Sequence, residues 1–251
     1  MPEEAKAPER RPTSLNLIFA AISTALVCIA TMFFSMYVPA TRGFFNIGES
    51  MVYLSALLFG PFVGAFAGGV GSMLADILLG YTYYAPATLV IKASEGFIVG
   101  YLSRRNPKLN RVGWRTLTTI LAVVAGALLA VIGSAYYSGE VELTLGQAII
   151  PLYIPELFWF ILSLIVTASI IVVGLVTEPE AGWTILSLMV GGLAMVLGYF
   201  IYQMYLLFPL FGIEAIAVAE IPVNIGQMII GLIIATPVAK IIKREFSIGA
   251  K

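Results

Sequence analysis

The chain reads as an all-α integral membrane protein, and three observations predict it. Of its 251 residues, 60% are apolar and only 11% are charged, against about 45–50% and about 25% in soluble domains. Mean hydropathy is +0.97 over 27.0 kDa. The apolar residues fall in runs of about 20, the length a helix needs to cross about 30 Å of hydrocarbon, and the runs are separated by charged residues or Pro/Gly breaks. These features exclude an ordinary soluble enzyme and a disordered chain.

Eight segments follow in order, at roughly 15–37, 48–60, 61–80, 85–103, 115–137, 154–177, 183–207 and 220–242. The first is too long for a secretory signal, and Met36-Tyr37-Val38-Pro39-Ala40 is not a convincing cleavage site, so it is expected to remain as a span. The second is short. Gly60-Pro61 divides it from the third, and proline starts a helix well because its missing N–H would be unpaired there. A single kinked helix is the alternative.

Positive charge predicts the sidedness. Of the 14 Lys and Arg, 12 form three clusters: Lys6, Arg10 and Arg11; Arg104, Arg105, Lys108, Arg111 and Arg115; and Lys240, Lys243, Arg244 and Lys251. With eight spans all three fall on one side, the cytoplasm, with both termini. Arg42 sits in the first outer loop and Lys92 inside a span. The outer loop 138–152 carries Glu140 and Glu142 and no cation. The short inner loop 178–182 is acidic, with Glu178 and Glu180, but acidic residues contribute little to topology.

Composition narrows the chemistry. Lys and Arg balance Asp and Glu, so the chain lacks the electrostatic footprint of a nucleic-acid binder. It has no histidine, so triads and metal sites built on imidazole are out. Its one cysteine, Cys28, permits neither an intrachain disulfide nor a cysteine-based zinc site. No P-loop motif occurs, so any ATPase must be a partner. No cofactor is expected.

Polar residues inside spans are costly and are functional candidates. In the fourth segment Tyr84, Thr88, Lys92 and Glu95 recur at spacings of 4, 4 and 3, on one helix face. Lys92 lies about 10 Å from the outer end. It reads either as a pocket lysine meeting an anionic or carbonyl-rich ligand, or as half of a structural pair with Glu95 or Asp76. Glu220, Asn224 and Gln227 share a face of the last segment, and their amides suit the edge of a heterocycle. Interhelical hydrogen bonding is the plainer reading. The turn Gly80-Tyr81-Thr82-Tyr83-Tyr84-Ala85-Pro86 is either an interfacial belt or a stacking wall, and Tyr199, Tyr202 and Gln203 pose the same choice. Gly64, Gly68, Gly71 and Ala75 on the third segment read as helix packing.

Residues 43–103 closely resemble the substrate-binding S component of energy-coupling factor (ECF) transporters, in particular the riboflavin-type family. The resemblance rests on Phe45-Asn46 with Gly48, Phe59-Gly60-Pro61, Gly68-Gly69-x-Gly71-Ser72 with Ala75-Asp76, Gly80-Tyr81, Ala85-Pro86, and Ile91-Lys92 with Glu95-Gly96. Residues 183–244 resemble the family's end through Gly198-Tyr199, Glu220-Ile221-Pro222-x-Asn224 and Gln227. The resemblance implies a six-helix bundle that binds a vitamin near the outer face. It also implies docking, through an AxxxA motif matched by Ala21 and Ala25, onto a T component coupled to two ABC-type ATPases.

The expected organisation is then a cytoplasmic tail (1–14), S-component helices 1–4 (15–105), an inserted helix pair (106–182), helices 5–6 (183–244) and a tail (245–251). The expected pocket draws on Asn46, Glu49, Asp76, Tyr81, Tyr84, Lys92, Glu95, Tyr199, Glu220, Asn224 and Gln227. Riboflavin is the default ligand, with pyrimidine precursors of thiamine and other heterocycles open. A stand-alone carrier or channel would need a continuous polar path, whereas the polar residues cluster toward the outer half. An intramembrane enzyme pairing Asp76 with Glu95 or Glu220 lacks any accompanying catalytic motif. Lys92→Ala or Asn224→Ala is expected to weaken ligand binding without unfolding the chain.

Overall fold

The computed structural model describes residues 13–105, 110–145, 148–176 and 179–248, with side chains described for 14–105, 110–139, 153–176 and 182–245. The tails at 1–12 and 249–251 and the connection 106–109 lie outside the described residues.

The helices are α1 (Thr13–Phe33), α2 (Glu49–Phe59), α3 (Pro61–Leu79), α4 (Ala85–Leu102), α5 (Arg111–Tyr136), α6 (Glu156–Val176), α7 (Pro179–Tyr202), a short α8 (Phe208–Phe211) and α9 (Ala217–Ile248). Among the described residues six helices are long and apolar enough to cross a bilayer: Ser14–Phe33, Pro61–Leu79, Arg111–Tyr136, Glu156–Val176, Gly182–Phe211 and Ala217–Glu245. The other two of the eight expected segments fall outside that set. Helix α2 has 11 residues, or about 16 Å at 1.5 Å per residue, and α4 carries Lys92 and Glu95 within its 18 residues.

Two hairpins interrupt the helical pattern. Strands β1 (Ser35–Val38) and β2 (Gly43–Asn46) pair antiparallel, with Ser35 opposite Asn46 and Val38 opposite Gly43. The first helix therefore ends at Phe33 rather than running on to residue 37. Val38 precedes Pro39, and a residue before proline disfavours the helical region. Strands β3 (Gly139–Leu145) and β4 (Ala148–Ile154) form the second hairpin, which fills the expected outer loop and runs two residues past it, and β3 packs against β1.

Beyond α7 the helix continues as a single π-turn, Gln203–Leu207, into α8. Such turns occur mostly as isolated bulges, often at functional sites, and this one aims Gln203 inward, where its side chain is buried.

Helix α2 is central, packed against α1, α3, α4 and α9, while α7 bridges α4 and α9. Pair α3–α4 makes the closest approach. A Cβ at Gly68 would lie 2.8 Å from the Lys92 carbonyl oxygen, and one at Gly64 would lie 2.8 Å from that of Gly96. Only glycine lets the two backbones meet there, and the contact fixes Lys92 relative to Asp76 on α3. Gly60, at φ +95°, turns α2 into α3 in a region L-residues rarely adopt. The guanidinium of Arg104, just past α4, packs on it. Helices α5 and α6 pack mainly on each other and reach the rest of the bundle through α5, against α9 and α7.

Candidate functional site

A narrow polar pocket lies at the β1–β2 end of the bundle. Its wall is assembled from seven elements and one turn: Thr31 of α1; Gly43, Phe44 and Asn46 of β2; Glu49 of α2; Ser72 and Asp76 of α3; Tyr84; Thr88 and Lys92 of α4; Tyr199 of α7; and Glu220, Asn224 and Gln227 of α9. Nine of the eleven expected pocket residues are in this wall. Glu95 is fully buried behind Lys92. Tyr81 sits at the rim, its ring centroid 4.6 Å from that of Phe44.

The floor is an ion-pair cluster. Lys92 Nζ donates to Glu49 and to Glu95 Oε2, the latter at 3.0 Å. All three side chains are nearly inaccessible. An isolated charge at this depth would be very costly, so the lysine and its carboxylates hold one another there. The partner Glu49 is 43 residues away in sequence. Both described salt bridges of Lys92 run to these glutamates and none to Asp76. A free pocket lysine for an anionic ligand is therefore not what the geometry offers. Lys92 is already held by two carboxylates.

One wall carries a hydroxyl chain. Tyr199 Oη donates to Thr88 Oγ1 at 3.0 Å, and the Thr88 hydroxyl in turn serves Asp76. The opposite wall is organised by Tyr84, whose hydroxyl donates to the Thr41 carbonyl at 2.7 Å and accepts from Gln203 Nε2. The Glu220 carboxylate faces the Thr41 hydroxyl and the Gln203 amide. Burial, then repulsion from Glu220, pushes the Tyr84 phenol above its usual range. Burial likewise raises Tyr81 and Tyr83. These hydroxyls stay protonated at neutral pH and can donate.

The amides close the third side. Gln227 Nε2 donates to Asn224 Oδ1 at 2.9 Å, and Gln227 Oε1 accepts from the Asn46 backbone N–H at 3.3 Å. Asn46 Oδ1 accepts from the Gly48 N–H at 2.9 Å, which shapes the entry into α2. Several buried pocket atoms lack a hydrogen-bond partner: Glu49 Oε1, Asp76 Oδ2, Glu220 Oε2 and Asn224 Nδ2. Buried polar groups are nearly always paired, so a converging set of unpaired ones is what a polar ligand would satisfy.

Sequence reasoning did not select Thr31, Gly43, Phe44, Ser72 or Thr88 as site residues. Thr88 lies on the helix face it did identify, and Ser72 lies one turn before Asp76 on α3. Thr31 shares an α1 face with the buried Thr24 and Val27, whereas Gly43 and Phe44 had no periodic signal, because a hairpin rather than a helix brings them in. On α1, Ala21 and Ala25 face outward, while Ser23, Thr24 and Val27 face inward.

A helical bundle of bilayer-spanning length, with one end hollowed into a polar pocket, defines a multi-pass membrane protein. Residues 13–177 match the family described as ECF-type riboflavin transporter, S component, and the chain belongs to that family. It is thus a multi-pass protein of the cell membrane and a subunit of a vitamin-transport system. The match spans α1 through α6, and so includes most of the stretch 106–182 that the sequence sets apart as an insertion. A Pyrococcus woesei protein described as "Uncharacterized protein in gap 3'region" is 44% identical over 107 residues, which is 43% of this chain and 67% of that protein. The thiamine precursor transporter HmpT of Lactococcus lactis subsp. cremoris (strain MG1363) is 27% identical over 126 residues, 50% of this chain and 71% of that protein.

Proposed function

We propose that this chain captures a vitamin at the outer face of the membrane and delivers it to an ATP-driven importer, together with a T component and two ABC-type ATPases. The observation that carries this reading is the pocket, where unpaired buried polar atoms of Asp76, Glu220 and Asn224 line the space over a floor of Lys92, Glu49 and Glu95. A polar chamber closed on one side suits a binding subunit better than a channel, which needs polar groups along its whole length.

The proposed topology has eight crossings with both termini in the cytoplasm. The three basic clusters support it. So does the packing of Arg104 on Gly60, which brings the α2–α3 turn to the same end of the bundle as the cytoplasmic basic cluster after α4. Helix α2 can be short because β2 has already carried the chain inward to the depth of Glu49. Helices α1–α4, α7 and α9 form the six-helix core in this reading, and α5–α6 is an inserted pair at its edge.

The family description makes riboflavin the first candidate ligand. A thiamine precursor is the second, favoured by the Lactococcus relative. Ala21 and Ala25, exposed on α1, are the proposed T-component docking face. Copurification tests the coupling. Tagged protein co-expressed with a T component and ATPase pair should bring all three down, and Ala21→Leu should abolish that while leaving ligand affinity unchanged. A complex that survives Ala21→Leu would place docking elsewhere; failure of the native chain to copurify with any coupling module would remove the importer reading.

A further inference from the structure

At the pocket end of the bundle the chain leaves α5 through Tyr137, and this residue reaches across to α9. Its hydroxyl donates to the carbonyl of Ala219. Ala219 is fully buried and directly precedes Glu220 of the pocket wall. The phenol also lies within electrostatic reach of the Glu220 carboxylate. A side chain of the α5–α6 pair therefore touches the backbone that carries a pocket residue, and the two partners are 82 residues apart in sequence.

Tyr137 is itself held by α6. Trp159 Nε1 donates to the Tyr137 carbonyl at 3.0 Å, and the two rings pack with centroids 5.8 Å apart. The indole lies against Gly133, one turn before Tyr137, where a Cβ would come within 2.4 Å of it. Glycine at this position lets the indole reach the carbonyl. The Tyr137 N–H donates to the Gly133 carbonyl at 2.9 Å, so the residue closes the last turn of α5. Backbone and ring are both fixed, and the hydroxyl is aimed at α9.

The turn it reaches is weak by itself. Pro222 stands inside α9, between Glu220 and Asn224 of the pocket wall. It has no N–H to offer the Val218 carbonyl four residues back, and its ring crowds that turn. Upstream, the Ile216 N–H donates to the Ala40 carbonyl at 2.9 Å, which ties the approach to α9 to the β1–β2 turn. The Glu220 end of α9 is thus held by the first hairpin and by Tyr137. We propose, on the binding-subunit reading above, that Tyr137 is a positioning residue for the pocket: through the Ala219 carbonyl it sets the proline-weakened first turn of α9 so that the Glu220 carboxylate faces the ligand. The α5–α6 pair is then the frame that aims this wall of the site, with Trp159 as the brace inside it. Binding groups must be held within about 0.5 Å of their productive geometry by such supporting contacts, so the hydroxyl acts on affinity without touching the ligand.

The test compares Tyr137→Phe, which keeps the ring and removes the hydroxyl, with Thr167→Val inside the α5–α6 pair, both in the full chain in detergent. Equilibrium dialysis reads the dissociation constants of riboflavin and of 4-amino-5-(hydroxymethyl)pyrimidine. Where the native chain binds neither, mass spectrometry reads the heterocycle that copurifies per chain instead. One hydrogen bond is worth about two- to tenfold in an equilibrium constant. Tyr137→Phe should weaken binding by about that factor, with the melting temperature of the ligand-free chain close to native, and Thr167→Val should leave binding unchanged. Native affinity in Tyr137→Phe, whatever its melting temperature, would make the contact a structural strut and overturn the inference. An equal loss in both variants would trace the effect to general loosening of α5–α6 and overturn it too. Either result leaves the binding-subunit reading standing. A native chain that binds neither probe and carries no heterocycle would overturn both. Should Tyr137→Phe fail to fold, Trp159→Phe, which removes the donor to the Tyr137 carbonyl, takes its place and the same outcomes decide.

Discussion

Two helix pairs, α3–α4 and α5–α6, are built on the same packing device and serve different ends. Both bring helices together over small residues. Gly68 of α3 lies against the Lys92 carbonyl, and Gly126 of α5 lies against the Thr167 hydroxyl. In α3–α4 the device sets Asp76 beside the α4 face that carries Thr88, Lys92 and Glu95, all buried in the bundle interior. In α5–α6 the polar groups serve backbone carbonyls instead: Thr118 bonds the carbonyls of Trp114 and Arg115, Ser163 that of Phe160, and Thr167 that of Ala122. Half of the most apolar stretch of α3 is buried, against 11% of that of α6. Close packing therefore does not mark a site by itself. Several unpaired polar atoms gathered on one pocket do, whereas among the described residues of α5–α6 only Trp114 Nε1 is buried without a partner.

The comparison can be broken most severely at Lys92. Lys92→Ala leaves Glu49 and Glu95 buried without their cation, and the cost is about 3–5 kcal/mol. The expected outcome is a large fall in thermal stability along with loss of ligand binding, read by a melting scan in detergent. This revises the expectation from sequence, in which the substitution affected binding alone; the two carboxylates explain the change. Next comes Gly68→Leu. Its side chain has no room against the α4 backbone, and forced overpacking costs about 1–3 kcal/mol or more. Stability should fall and ligand affinity with it, because α3 and α4 no longer meet at pocket level.

Asn224→Ala should be gentler on the fold and specific to the site. It removes one unpaired donor and one bond from Gln227. Ligand affinity should fall about tenfold, the equivalent of about 1.4 kcal/mol, with a small change in melting temperature. Thr167→Val is the control on the other pair. It loses one long hydrogen bond of 3.4 Å to the Ala122 carbonyl and should leave ligand affinity unchanged; a drop there would tie α5–α6 to binding.

How much of this was legible beforehand depends on the range of the interaction. All eight apolar segments correspond to helices, because hydropathy over about 20 residues is a strong local signal. The face Tyr84, Thr88, Lys92 and Glu95 was legible because helical periodicity alone places it. The Lys92–Glu49 pair was not, since nothing local links residues 43 apart. The β1–β2 hairpin was hidden because Ser35–Val38 continues the apolar run of α1, and strand pairing with Gly43–Asn46 is a non-local choice. The π-turn at Gln203–Leu207 was likewise hidden inside a continuous helical run.

The most direct test of the central claim is what the pocket carries. Protein purified gently in detergent should release, on denaturation, about one equivalent of a small heterocycle detectable by mass spectrometry. Asn224→Ala protein should release far less. A substoichiometric release that Asn224→Ala leaves unchanged, or a bound heterocycle that survives disruption of the pocket, would contradict the assignment of this pocket as the binding site.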